Sequence, residues 1–445
     1  VKGNKAIKDT VGIFVTRFIW SGMGLISGIA LTRYLGPENR GILTMLVQVI
    51  PSTVLTLTKL GVSQATVYYV NRKSASASKV TSNSITLALT LGGGAAVILW
   101  LFRGSMASNV LKEIPNWALA IALLRLPLLL LDNFLFGVLQ ATGQFGLYNV
   151  RLLVSEAVKL VLVLFIVLLN LGLGAALWLY TVMQVVNIAW LLFSMRRTIR
   201  ISLGFDRRLL SDMLSFGVRS YVQVVIQNLL LRVDQYMVQA EQGPTQVGFY
   251  SLGVHLIETL GELPQAIGLV LYPRLATLPE EEMHRLTAQT CRRTLLLVVP
   301  AAVGLTIFGP RIITLLYGAA FAPAGAPLLW LAVGNAALAV FVIITRDFTA
   351  RSKQVVNTWA GLLALIVNVA LNLYTIPAYG IVGAAFATAV AYTLACVILI
   401  RFFCIESGLS PAAVLIPRGD DVGYFLSIAR RGVTRVRARL VAQLR

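Results

Sequence analysis

An all-α integral membrane protein, with twelve transmembrane helices in two six-helix bundles, is the fold class this sequence predicts. Three observations point there: the composition, twelve apolar stretches each long enough to cross a bilayer, and an internal repeat that divides them six and six. Of 445 residues, 57% are hydrophobic and 13% charged, where a soluble chain carries about 45–50% and about 25%. That excludes an ordinary cytosolic enzyme, and it leaves too much to bury for a disordered chain. Cys291, Cys396 and Cys404 lie in or beside apolar runs, which argues against a disulfide framework or a cysteine metal site, and two histidines leave little for a histidine site. No cofactor is expected.

A helix crosses the hydrocarbon core with about 20 mostly apolar residues, and each expected span has a visible stop. The first, 7–31, ends at Gly36-Pro37 and is longer than the apolar core of a cleavable signal, so it is expected to remain as a span. The second, 41–69, gives way to the polar run Asn71 to Lys79. The third, 80–102, precedes Pro115-Asn116, and the fourth, 116–140, stops at Gly143. The fifth, 147–169, ends at Asn170, and the sixth, 173–195, at the basic run Arg196 to Arg208. The seventh, 209–239, meets Gly243-Pro244, and the eighth, 247–272, precedes Pro279 to Glu282. The ninth and tenth, 288–309 and 325–348, flank a segment with Pro323. The eleventh, 354–376, stops at Pro377 and the twelfth is 380–403. From about Glu406 a tail leads to IARRGVTRVRARLVAQLR, the basic amphipathic pattern of a helix lying on a membrane surface. The expected domains are 1–200, 201–404 and the tail 405–445.

The formal charge is +20, from 38 Lys and Arg against 18 Asp and Glu. With the N-terminus placed in the cytoplasm, 26 basic residues fall in inside segments and 5 in outside ones. That bias orients the chain with both termini cytoplasmic and makes membrane lipids, not nucleic acid, the partner of the charge.

The repeat has two landmarks. Gly36 to Gly41 reads GPENRG and Gly243 to Gly248 reads GPTQVG, both G-P-x-x-x-G. LGLGAALWL (171–179) precedes span six and YGIVGAAFA (379–387) precedes span twelve, at nearly the same offset. Two six-helix halves inserted the same way up follow, an arrangement common among transporters that rock one half against the other.

Charges within the spans are costly and usually face a cavity or a partner. The cations are Arg17, Lys59, Arg125, Lys159, Arg219, Arg232 and Arg401, and the acids include Asp132, Glu156, Asp234, Glu258 and Glu262. In this orientation Arg17, Lys59 and Arg219 share the inner half of spans one, two and seven. They suit a cationic vestibule that grips a phosphate or pyrophosphate, with Arg125 and Arg232 as further contacts; snorkelling to the interface is the alternative. Arg401 fits a snorkeller, and Glu156 with Lys159 a self-satisfied pair. Span seven carries two polar stripes, one through Arg219, Gln223, Gln227 and Asp234, the other through Tyr221, Asn228, Arg232, Gln235 and Gln239. One is expected to line a cavity and the other to pack. Glu258 and Glu262 are placed to neutralise vestibule cations, to take a coupling ion or proton, or to form an internal salt bridge. Gly24 and Gly28 form a G-x-x-x-G expected to serve packing. Asn368, Asn372 and Thr388 offer neutral oxygens that suit a monovalent cation if they converge.

The segments LTRYLGPENRGIL, VDQYMVQAEQGPTQVGFYSLG, LYPRLA, LLYGAAFAPAGAPL and NVALNLYTIPAYGIVGAAFATAVAY resemble, in order and spacing, the polysaccharide-transporter (Wzx-like) flippases of the multidrug/oligosaccharidyl-lipid/polysaccharide (MOP, MATE-like) exporter superfamily. The resemblance runs from Lys8 to about Phe403. It implies a V-shaped pair of six-helix bundles around a cationic cavity in the bacterial cytoplasmic membrane. It implies as cargo a polyprenyl-pyrophosphate-linked glycan (undecaprenyl), moved from the inner to the outer leaflet, with a polymerase or glycosyltransferase as partner. Arg17 resembles the family's span-one cavity arginine and Asp234 its span-seven acid. Asp234, Asn368, Asn372 and Thr388 resemble the sodium site of lipid-flipping relatives, so sodium or a proton is the implied coupling ion. Asn372 stands where lipid II flippases tend to carry an acid, and twelve spans instead of fourteen point away from lipid II as cargo. Against this flippase stand a MATE-type cation-coupled drug antiporter, which would favour acids and aromatics in its cavity, and a membrane glycosyltransferase or polymerase, which would need a long extramembrane catalytic loop.

Overall fold

The computed structural model describes residues 2–71, 76–143, 145–196, 206–218, 221–425 and 427, and every regular element among them is a helix. In chain order these are α1 (Lys2–Thr44), a π-helical turn (Met45–Val49), α2 (Ile50–Lys59), α3 (Val62–Asn71), α4 (Ala77–Leu87), a second π turn (Ala88–Gly92), α5 (Gly93–Leu101), α6 (Arg103–Asn109), α7 (Asn116–Ala141), α8 (Phe145–Leu168) and α9 (Gly172–Met195). Then come α10 (Arg207–Val218), α11 (Val222–Leu275), α12 (Glu280–Tyr317), a 3-10 turn (Ala319–Gly325), α13 (Leu328–Ala350), α14 (Gln354–Ser407) and α15 (Pro411–Leu415).

Among the described residues, seven stretches are long and apolar enough to cross a membrane: Ile19–Lys59, Ser78–Leu101, Asn116–Ala141, Gly172–Met195, Glu280–Tyr317, Leu328–Ala350 and Gln354–Ser407. Some of these stretches hold two of the expected spans, joined at a kink. α11 and α14 each run 54 residues, too many for one crossing of a ~30 Å core, and each is two helices that meet at a kink. Each long element carries one glycine with non-helical backbone: Gly36 (φ 71°, ψ 175°) in α1, Gly243 (φ 75°, ψ −178°) in α11 and Gly380 (φ 59°, ψ −139°) in α14. These lie at or within three residues of the expected stops at Gly36, Gly243 and Pro377. Only glycine adopts such angles without strain.

The expected second span, 41–69, is not continuous. A π turn interrupts it at 45–49, and the left-handed pair Leu60 (φ 45°) and Gly61 (φ 71°) ends α2 at Lys59. The third contains the π turn at 88–92. The seventh is described as α10 and the start of α11, with Ser220 and the expected site residue Arg219 outside the described residues. Residues 428–445, most of the expected amphipathic tail, also lie outside them. α12 opens with Glu280, Glu281 and Glu282, acids that complement the positive end of the helix dipole.

By packing, the chain forms two compact units. The first comprises Val1–Ser251, Arg311–Ala324 and Ile376–Ile381, and the second Leu252–Pro310, Gly325–Thr375 and Val382–Arg445. Packing thus places the helix of span seven with the first unit, whereas the repeat assigns it to the second half. The first describes one conformation and the other the duplication of the chain. In the first unit α7 is the central rod: Phe134, Leu135 and Val138 are buried with Val62, Val80 and Leu191. In the second unit α13 is buried along Ile343, Ile344 and Phe348, and Gly334 lets it approach Ala389 of α14.

The two G-P-x-x-x-G corners meet inside the first unit and seat each other. A Cβ on Gly41 would lie 1.7 Å from the Pro244 carbonyl oxygen, and one on Gly248 would lie 2.0 Å from that of Pro37. Thr44 Oγ1 and Ser251 Oγ are 3.3 Å apart. Gly41–Pro244 and Gly248–Pro37 are the same contact with the two copies exchanged, and Thr44 and Ser251 correspond to each other, so the contact has local two-fold character. The second landmark behaves alike: Gly172 (φ 75°) and Gly380 (φ 59°) both turn left-handed. The first corner is latched by Tyr34, whose hydroxyl donates to Asn170 Oδ1 (2.8 Å) and accepts from Gly172 N (2.8 Å). The second is latched by Gln242, whose Nε2 donates to the Ile376 carbonyl (3.2 Å).

Candidate functional site

Both π turns abut the middle of α7. A π turn spends one extra residue and leaves carbonyls without their usual helical partner. Arg125 Nη1 donates to the Val47 carbonyl (3.1 Å) in the first π turn, and Tyr236 Oη donates to the Val49 carbonyl (3.3 Å). Pro127, two residues beyond Arg125, packs on the second turn, where a Cβ on Gly92 would lie 2.5 Å from Pro127 Cα. Arg125 also faces the Tyr180 ring, 5.5 Å from its centroid. Its guanidinium is therefore partly committed to backbone. Arg232 is half-buried and lies close enough to Tyr236 to act on it electrostatically. Lys59 closes α2, half-buried, beside the left-handed break. Arg17 lies within α1, and its side chain is outside what the structure describes.

Asp234 is 2% exposed in the first unit. Tyr250 Oη donates to its Oδ2 (2.6 Å), and the Gln235 amide donates to its Oδ1 (2.7 Å). On the second stripe of span seven Tyr221, Gln235 and Gln239 are buried and Asn228 and Arg232 half-buried, and Gln239 Nε2 donates to the Lys112 carbonyl (2.8 Å); on the first, Asp234 is buried and Gln223 and Gln227 half-buried.

In the second unit the structure brings Asn368, Asn372 and Thr388 together. Asn372 Nδ2 donates to Asn368 Oδ1 (2.9 Å), and Asn368 Nδ2 donates to Thr388 Oγ1 (3.3 Å). Both asparagines are fully buried. The relay ends at Asn372 Oδ1, a buried oxygen without a hydrogen-bond partner. A lone acceptor in apolar surroundings costs free energy, and a desolvated hard cation or a water would satisfy it. Asp234 belongs to the other unit, so the four expected ion-site residues divide one and three. Glu258 is half-buried and Glu262 exposed on α11.

Other charges pair locally. Lys159 Nζ lies 2.5 Å from Glu156 Oε1, the expected self-satisfied pair. Gly24 faces the same Glu156 at 3.1 Å, whereas Gly28 has nothing within 4 Å, so only the first glycine of that motif sits at a contact. Asp132 bonds Arg151, which is buried near the start of α8. A charged network that sequence reasoning missed lies in the second unit. Arg351 Nη2 is 2.5 Å from Asp347 Oδ1, and Arg351 Nη1 also bonds Glu406, which binds Lys353 at 3.0 Å. Thr287 Oγ1 donates to Asp347 Oδ2 (3.0 Å). Asp421, expected in a membrane-surface tail, is buried on α12 instead: Arg292 Nε donates to it (2.6 Å) and Arg293 Nε at 3.2 Å. Burial pushes the Asp421 carboxyl upward, but the hydrogen bonds from Arg292, the Arg418 amide and Arg293, with the Arg292 charge, together outweigh it and hold the group below its ordinary range.

Comparison with known proteins places this geometry. The model of the family described as "Polysaccharide biosynthesis protein" matches residues 30–326. The chain is 23% identical over 381 residues, 83% of its length and 90% of the relative's, to an O-antigen transporter candidate of Shigella flexneri. It is 26% identical over 154 residues, 34% of the chain and 33% of the relative, to a candidate flippase of low-salt glycan biosynthesis from Haloferax volcanii. Among solved structures it is similar in fold to the lipid II flippase MurJ in an inward closed conformation (TM-score 0.73, 15% identity, 88% of this chain and 87% of that one). It is also similar to an inward-facing multidrug resistance MATE transporter of the MOP superfamily (TM-score 0.68, 17% identity, 87% and 94%).

Proposed function

The chain belongs to the polysaccharide biosynthesis protein family, and from that premise we propose that it is a flippase for an undecaprenyl-pyrophosphate-linked oligosaccharide. Its relatives are transporters, not enzymes, and it is itself a multi-pass membrane protein. The observation that carries the proposal is the alignment of 83% of the chain with an O-antigen transporter candidate. The cargo passes from the inner to the outer leaflet of the cytoplasmic membrane by alternating access, with both chain termini in the cytoplasm. Arg17 and Arg219 grip the diphosphate, assisted by Lys59, Arg125 and Arg232; planar guanidinium groups match its oxygens bidentately. Ion coupling draws on Asp234, Asn368, Asn372 and Thr388, with Glu258 and Glu262 as proton or charge carriers. The unpartnered Asn372 oxygen supports that reading. A polymerase or glycosyltransferase supplies or takes up the glycan at either face.

Liposomes containing the protein and a fluorescent undecaprenyl-pyrophosphate oligosaccharide test it. The lipid is expected in the opposite leaflet, faster under a sodium or proton gradient, and Arg17→Ala or Arg219→Ala abolishes the transfer while expression stays normal. Efflux of a cationic dye with no transfer of several such lipids would place the chain with the drug antiporters instead.

A further inference from the structure

A groove of 530 Å³ runs along the second unit between α11 and α12. One wall is the stripe Leu263, Ile267, Val270 and Arg274, which recurs at helical spacing. Leu286, Arg293 and Leu297 of α12 form the other, and Tyr424 and Phe425 close one side. Its walls lie outward: Leu263 is 40% exposed and Val270 63%. Polarity is graded along it. From Leu263 to Arg274 the helix rises roughly 16 Å, about half of a ~30 Å hydrocarbon core and so the depth of one leaflet. The shallow end carries the charge. Arg292 and Arg293 share the single carboxylate of Asp421, which leaves the pair one positive charge in excess, and Arg274 ends α11 beside them. The Arg293 guanidinium lies 4.0 Å over the Tyr424 ring, which holds it at the groove's mouth with an interfacial aromatic.

We propose that this groove binds one anionic phospholipid of the leaflet on its arginine side, which is the cytoplasmic leaflet in the orientation given by the basic loops. An acyl chain lies along Leu263, Ile267, Val270 and Leu297, and the headgroup phosphate meets Arg274 and Arg293. The match of apolar length to one leaflet and the cationic end fit this occupant. A neutral lipid would leave the arginine charge unanswered. The arginine-rich sequence 430–445 follows directly and raises the local concentration of anionic lipid. The groove uses none of the residues assigned to the cargo, so it stands or falls independently of the flippase reading.

The test uses the full chain in nanodiscs with phosphatidylglycerol or phosphatidylcholine bearing the same diazirine-tagged acyl chain, followed by mapping of photo-adducts. Phosphatidylglycerol is expected to label peptides covering 263–271 and 286–297 preferentially. Each arginine removed lowers that preference about fivefold. Arg274→Gln alters an exposed side chain only; Arg293→Gln also removes a contact to Asp421 and is read alongside it. Equal labelling by the two lipids, or a preference unchanged in R274Q, overturns the proposal. Displacement of the tag by undecaprenyl pyrophosphate but not by excess phosphatidylglycerol also overturns it, and assigns the groove to the cargo.

Discussion

Two polar clusters in the second unit are built by opposite rules. Around Arg351 every strong charge has a counter-charge: Asp347, fully buried, takes the guanidinium on one oxygen and Thr287 on the other, while Glu406 joins Arg351 to Lys353. The groups bonded to Asn368 are neutral, a relay of amides and a hydroxyl that ends in an unanswered oxygen. A charge-balanced ionic cluster stores its value in the fold, since removing one member strands another in low dielectric. An unsaturated neutral one gives the fold little and keeps a coordination position open. The difference separates polar residues that hold this chain together from those suited to work in it.

Removing Asp347 attacks the first rule. Asp347→Ala is expected to cost about 3–5 kcal/mol, the range for breaking a buried ion pair, and to appear as a large drop in thermal midpoint and monodisperse yield in detergent. An unchanged midpoint would erase the distinction. Acid sharpens it at the periphery. The Asp421 carboxylate is held below its ordinary range by Arg292, the Arg418 amide and Arg293, so its stabilisation is present above the unfolded carboxylate range and is lost as pH falls through the folded value. A nitroxide pair on Gln289→Cys and Gly419→Cys is expected to keep one distance at neutral pH and to broaden only in strong acid; broadening near pH 6 would implicate another group. The smallest effect on folding belongs to the second cluster. Asn372→Leu is expected to cost about 1 kcal/mol or less, yet to flatten the sodium dependence of transport. Asn372→Asp is expected to steepen that dependence. Transport with the same ion response in both variants would remove Asn372 from coupling.

Much of the architecture was legible because it is written in residues whose backbone needs are local. Gly36-Pro37 and Gly243-Pro244 announced corners, and the positive φ of both glycines bears those out. The pairing of Glu156 with Lys159 followed from helical spacing alone. The π turns at 45–49 and 88–92 left no trace, because a run of apolar residues has the same hydropathy in either helix type. With the first π turn went the partner of Arg125, a backbone carbonyl that an α-helix would have kept to itself. The Arg351 network escaped because Glu406 lies 55 residues away in the chain. The segment around Asp421 read as a surface helix because its apolar residues could as well dock on protein as on lipid. Convergence of Asn368, Asn372 and Thr388 needed the fold of α14 back across Gly380, which sequence offered only as a stop.

Because a side chain gained at Gly41 would strike the backbone at Pro244, and one gained at Gly248 the backbone at Pro37, neither half can drift alone at these corners. A substitution in either copy of the corner is thus limited by the backbone of the other copy. Chimaeras that join halves from different relatives are therefore expected to fail or assemble according to these few small residues, even where the rest of the two sequences has little in common.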